Sequence, residues 1–139
     1  MPRSAKNPAK GDPVARARSE NTRKGRDGEK QAAEALEKKG MRIIATNFHS
    51  PKGEVDIIAQ DGATIVFVEV KAWSAYGMGD LQYGINEKKQ RRIIETAKYF
   101  LAANRKYNEM TIRFDVVFVN PLAGSTAIRH LASAFMECV

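Results

Sequence analysis

The sequence predicts an α/β protein in which a mixed β-sheet is packed by helices, with elements in the order α-β-β-β-α-β-β. Two observations carry that prediction. Two segments repeat apolar residues at helical spacing, and five short runs are rich in Ile, Val, Thr and Phe and bounded by turn residues. Alternation of such segments points to an α/β sandwich. A chain of 139 residues fits one domain and can bury a real core.

Asp27 to Lys39 reads as the first helix. Glu29, Ala32, Ala33 and Leu36 fall on one face, and Gly40 is a good stop. Met41 to Phe48 reads as the first strand, and Ser50-Pro51-Lys52-Gly53 as a turn. Glu54 to Gln60 and Ala63 to Lys71 read as a hairpin closed by Asp61-Gly62. Trp73 to Gly84, with three glycines, reads as a loop. Asn86 is placed to cap a helix running to about Ala103, with an apolar stripe of Ile93, Ile94, Ala97, Phe100 and Leu101. Thr111 to Val119 and Thr126 to Phe135 complete the strands.

The composition narrows the class. The formal net charge is +7. Residues 1–26 hold eight basic and two acidic residues, so six of those seven charges lie there. That segment has three prolines and almost no large apolar residue, so it is expected to be disordered alone. It is either an arm that lies along phosphates or a solubilising tail. The remainder is nearly neutral. One cysteine, Cys138, cannot build a disulfide framework or a thiolate zinc site, which fits a cytoplasmic protein. No apolar run approaches the ~20 residues that span a bilayer, and no secretory h-region is visible, so no membrane partner is expected.

The hairpin carries the chemistry. With Asp61-Gly62 as a two-residue type I′ loop, Ile58 pairs with Ile65, Asp56 with Phe67 and Glu54 with Glu69. Alternation then projects Glu54, Asp56, Glu69 and Lys71 from one face, with Asp56 diagonal to Glu69 at roughly 7–8 Å. The opposite face takes Val55, Ile57, Ala59, Val66, Val68 and Val70. Crowded carboxylates repel, and a divalent cation relieves the repulsion. Carboxylates without nearby His or Cys suit Mg²⁺ or Mn²⁺ rather than zinc. A neighbouring lysine can address a phosphate or the attacking water. The alternative is an exposed hairpin face with ordinary surface pairs.

Asp56, twelve intervening residues and Glu69-Val70-Lys71 resemble the D-x(n)-E-x-K signature of the PD-(D/E)XK nuclease superfamily. The chain is more closely similar to the YraN-like family of bacterial proteins. Gly28-Glu29, Gly40, Asn47, Gly53-Glu54-Val55-Asp56-Ile57-Ile58-Ala59, Phe67-Val68-Glu69-Val70-Lys71, Lys89 and Phe114-Asp115-Val116-Val117 carry the match, over roughly residues 25–120. The resemblance implies a restriction endonuclease-like sandwich, similar to archaeal Holliday junction resolvases. It divides the chain into a basic extension, 1–24, and an endonuclease-like domain, 25–139. It implies a Mg²⁺- or Mn²⁺-dependent nuclease acting on DNA, with branched or structured DNA among its substrates. Asp56, Glu69 and Glu29 would hold the metal, Lys71 would assist the chemistry, and Glu54 would stand behind them or pair with a cation. Two-fold symmetry among junction resolvases implies a homodimer. A nucleic-acid-binding module or DNA-repair partner that does not cut is the alternative.

Lys88, Lys89, Arg91 and Arg92 open the second helix, where cations oppose the helix dipole. They form either a phosphate-gripping patch or a solvated face. Trp73, Tyr76 and Tyr83 either stack on unpaired bases or anchor their loop. Asp115, mid-strand, reads as structural, bonded to a loop or to Lys89. His49 and His130 stand isolated in the sequence.

Overall fold

The structure, a computed structural model, describes residues 28–72, 85–120 and 127–136. Helix α1 covers 28–38. Strands β1 (Arg42–Ser50), β2 (Gly53–Asp61) and β3 (Thr64–Ala72) follow, then helix α2 (Glu87–Ala103), a 3₁₀ turn (Arg105–Tyr107), and strands β4 (Thr111–Asn120) and β5 (Ala127–Phe135). The expected loop at 73–84, with Trp73, Tyr76 and Tyr83, and the expected extension at 1–24 lie outside the described residues.

The sheet is mixed, as the pattern predicts, and runs β1-β2-β3-β4-β5. Only β3 and β4 are parallel; the other neighbouring pairs are antiparallel. A parallel pair cannot be joined by a tight turn, so the chain must return along the sheet between them, and α2 lies on that return. Asn86 caps α2, its Oδ1 accepting from Lys89 N–H at 2.8 Å. Gly40 ends α1 at φ +96°, with its N–H on Glu37 O and Met41 N–H on Leu36 O.

The two faces of the sheet hold separate cores. Ile57, Ala59, Val66, Val68, Val117 and Val119 pack on Ala32 and Leu36 of α1. Ile58, Ile65, Phe67 and Phe114 pack on Ile93, Ile94, Ala97 and Phe100 of α2. Phe67 is fully buried, edge-on to Phe100 and stacked with Phe114. The sheet therefore lies between helices, and the alternation read from sequence is the alternation between these cores.

Two details of the hairpin differ from expectation. The last paired residues are Asp61 and Thr64, so Gly62-Ala63 forms the loop and Ile58 pairs with Phe67. Gly62 has φ +61° while Ala63 is not among the positive-φ residues, which is the type II′ rather than the I′ pattern. Asp61 stays in the strand, where its carboxylate meets Arg113 at 3.2 Å. The register thus slides by two residues, which leaves the faces unchanged. Val55 does change: it packs with Ile58 under α2 instead of with Ile57. Regular alternation breaks at Asp56, which falls between the two.

The β1–β2 turn is fastened to α2. Ser50 Oγ lies 3.2 Å from Thr96 Oγ1, and Thr96 Oγ1 donates to Arg92 O at 2.8 Å. Gly53 sits at φ +150°, and an added Cβ would come within 3.4 Å of Thr96 Oγ1 and 3.5 Å of Arg92 Cβ. The contacts are tolerable but the backbone angle is not favourable to an L residue. Gly53→Ala should cost about 1–3 kcal/mol in urea denaturation. An unchanged midpoint would contradict this account of the turn.

Candidate metal centre

The irregularity at Asp56 makes the site. The paired register of β2 and β3 ends at Ile57–Val68, and Asp56 and Glu69 are the next residue beyond it on each strand, with their carboxyls acting on each other. Asp56 Oδ2 accepts Val70 N–H at 2.7 Å, so a side chain takes over a ladder bond where the strands part. Glu29, near the start of α1, hydrogen-bonds to Asp56 and to the Asn47 side chain. Asn47 is held at φ 53°, a region that Asn tolerates better than most residues. Lys89, in the first turn of α2, places Nζ 2.9 Å from Glu69 Oε2. The Glu69 side chain is only 6 % exposed.

The electrostatics follow from burial and crowding. Burial first, then the Asp56 charge, pushes Glu69 up to about 7 despite its bond to Lys89. Burial and then Asp56 push Glu29 up to about 7, against the pull of Asn47. Asp56 is raised by burial, opposed by Val70 N–H, the bond to Glu69 and the charge of Lys89. Lys89 resists the lowering effect of burial because Glu69, Asp56 and Glu54 surround it, and it stays above the ordinary lysine value. Burial and mutual repulsion thus disfavour full ionisation of the three acids, and the Lys89 ammonium offsets part of that at Glu69.

That arrangement has a pH signature. The folded values near 7 exceed the ordinary 4.5, so the folded chain binds more protons than the unfolded chain between those pH values. The stabilising contribution is present at pH 4.5 and below and is lost as pH rises through 7. Unfolding free energy without metal should fall by on the order of 1–3 kcal/mol from pH 5 to pH 8, with solvent screening at half-buried Glu29 keeping it toward the low end. Glu29→Gln should flatten that slope. A wild-type profile that is level or rising across this window would contradict it.

The donor set fits a hard divalent cation. It offers only carboxylate oxygens, and Glu29 Oε1 is buried with no hydrogen-bond partner among the described residues. Among the described residues, no three His, Cys, Asp or Glu side chains converge on a single point as they stand. Lys89 meanwhile gives Glu69 the positive charge that a cation would supply.

The other expected residues fall as follows. Lys71 follows Glu69 on β3, half-buried and level with Phe118 of β4. Glu54 is exposed and faces His49 at 3.6 Å, rather than Glu69 or Lys71. Lys88, Arg91 and Arg92 are exposed together, but Lys89 departs from that patch and turns inward. The reason was legible: stepping back four residues along the stripe Ile93-Ala97 lands on Lys89. Asn47 had only one local signal, its tolerance of positive φ. Trp73 and Tyr76 lie outside the described residues.

Asp115 is structural, but its partners are not Lys89. Fully buried, it accepts from Arg113 Nε and Nη2, both at 2.9 Å, and from Ser133 N–H at 2.9 Å, and lies 2.7 Å from His130 Nε2. Burial raises its carboxyl, and the bonds from His130, Arg113 and Ser133 outweigh that and hold it below the usual range. His130 is therefore not isolated. Lys39 Nζ lies 2.8 Å from its Nδ1, and an ammonium can only donate, so Nε2 carries the hydrogen toward Asp115.

Fold and site together define a mixed-sheet α/β protein with a half-buried carboxylate cluster where both helices approach the sheet. The chain belongs to the uncharacterised protein family UPF0102, the YraN-like family, whose family model matches residues 28–119. It is 47% identical over 124 residues to a UPF0102 protein of Treponema denticola, covering 82% of this chain and 95% of the relative. It is 45% identical over 115 residues to one from Treponema pallidum, covering 81% and 91%, and 40% identical over 112 residues to one from Persephonella marina, covering 81% and 92%. Among the described residues, no helix is long and apolar enough to cross a membrane.

Proposed function

We propose that this chain is a Mg²⁺- or Mn²⁺-dependent nuclease on a restriction endonuclease-like fold, acting on DNA. The observation that carries the reading is the Asp56–Glu69 pair with Glu29 beside it: buried carboxylates held together at the cost of raised pKa values. A structural role would be served better by apolar residues of similar size. Asp56 and Glu69 would hold the cation, with Glu29 completing its surroundings. When bound, such a cation polarises a phosphodiester and lowers the pKa of water. Val70 N–H fixes the Asp56 carboxylate, and Lys89 fixes Glu69. Lys71 orients the attacking water or faces the developing negative charge. The likeness to junction resolvases extends the proposal to branched DNA and to a homodimer.

The test is a Mn²⁺-dependent cleavage screen of the full chain on branched, duplex and single-stranded DNA and on RNA, with Mn²⁺ binding followed by electron paramagnetic resonance. Mn²⁺ binding with cleavage of DNA supports the reading. Binding of DNA with neither metal uptake nor cleavage overturns it in favour of a non-cutting module.

A further inference from the structure

The four cations around the β1–β2 turn and the first turns of α2 have no use in the carboxylate site. Lys52, Lys88, Arg91 and Arg92, with Glu95 the single acid among them, border one groove of about 270 Å³ whose walls are mostly their aliphatic stems. Glu95 lies 3.6 Å from Lys98 on its own helix. Among the described residues, none of the four cations has an ion-pair partner. Like charges gathered near the positive end of a helix repel one another, and an anionic occupant would relieve that repulsion.

The groove is also built to hold its shape. Lys52 comes from a different element than the other three, and Ser50, Gly53 and Thr96 pin its turn to α2. Lys52 N–H donates to Ser50 Oγ at 3.0 Å, which fixes the turn at the lysine itself. Each of the two contributing segments serves both places. The chain runs from Lys52 in the groove to Glu54 and Asp56 at the acids, and from Lys88 in the groove to Lys89 on Glu69. Groove and carboxylate site are thus two to four residues apart along the β1–β2 turn and one residue apart at the start of α2.

We infer that Lys52, Lys88, Arg91 and Arg92 form a phosphate track that grips a nucleic-acid backbone and leads it to the carboxylate site, with the β1–β2 turn as part of the interface. A groove bordered by four cations is suited first to phosphate oxygens, which carry the charge of the polyanion. The inference rests on the nuclease reading for what the track leads to, but the grip itself does not depend on cutting.

The experiment uses the full chain in EDTA, so that cleavage plays no part. Lysines are acetylated with and without fluorescein-labelled duplex DNA, branched DNA or RNA, and protection is read by mass spectrometry. Lys52 and Lys88 should be protected, and Lys38, exposed near the C-terminal end of α1, should not. In parallel, anisotropy titrations across salt compare wild type, Lys52→Gln, Lys52→Gln/Arg91→Gln and Lys38→Gln. Each neutralised groove cation should lower the slope of log K against log salt by about one, equally for unrelated sequences. Lys38→Gln should leave it unchanged. Protection with DNA but not RNA, or the reverse, assigns the backbone. Equal acetylation of Lys52 with and without every nucleic acid, or an unchanged slope in the double variant, overturns the track. Failure of the cleavage screen with protection intact would overturn only the nuclease reading.

Discussion

Asp56→Asn and Glu69→Gln are each expected to abolish Mn²⁺-dependent DNA cleavage and to weaken Mn²⁺ binding, while the chain remains folded. The loss should exceed the roughly 100-fold that removing a group one shell further from a metal costs. Both substitutions keep the shape of the side chain. Asparagine at 56 can still accept the Val70 N–H that Asp56 accepts at 2.7 Å, so the parting of the strands is preserved. Glutamine at 69 loses the Lys89 pair but also the raised, buried charge. Unfolding midpoints at pH 8 should therefore change by no more than about 1 kcal/mol, since each lost attraction is offset by relief of repulsion. Equal cleavage by wild type and both variants would remove these carboxylates from the mechanism. A loss of activity that tracked a loss of fold would remove the distinction between site and scaffold.

Asp115→Ala is expected to have the opposite profile, costing about 3–5 kcal/mol of stability. Asp115 is the common acceptor for Arg113, Ser133 N–H and His130. Removing it leaves a guanidinium with only the Asp61 contact at 3.2 Å, a backbone N–H from β5 without an acceptor, and a buried imidazole N–H without one. Ser133 has φ 52°, so the same carboxylate also stabilises an unfavourable backbone angle. Guanidinium denaturation reads the loss directly. A cost below about 1 kcal/mol would mean that water or a rearranged β5 replaces all three bonds.

Much of this was legible in the residues. Helical spacing placed Glu29 on the stripe of Ala32 and Leu36, and strand alternation separated Ile57 and Val68 from Ile58 and Phe67, because both patterns record which side faces a core. Asn86 was legible as a cap because its carboxamide satisfies an otherwise orphaned amide. The pairing of β3 with β4 was not, since parallel partners are distant in sequence and leave no turn signal. The hairpin register was off by two residues because Asp-Gly reads equally well one position earlier. What selects between the positions is the Asp61–Arg113 contact, made with a strand fifty residues away. His130 with Asp115 was hidden for the same reason, and the turn of Val55 into the core beneath α2 depends on a strand irregularity that alternation cannot encode.

The crossover between β3 and β4 has a consequence for folding order. Among the described residues, the side chains of the carboxylate site lie between Glu29 and Lys89 in the chain, and none comes from β4 or β5. The contacts of the site are therefore among the more local in the chain, whereas the Asp115 network needs the last strand in place. Local contacts close with less loss of chain entropy and so tend to form sooner. A chain that has completed only its first three strands and second helix already has the order needed to bring its mutually repelling acids together, before the final strand adds the bonds that secure the sheet. The crowded acids are thus a burden carried early, and the Asp115 network closes the fold over them.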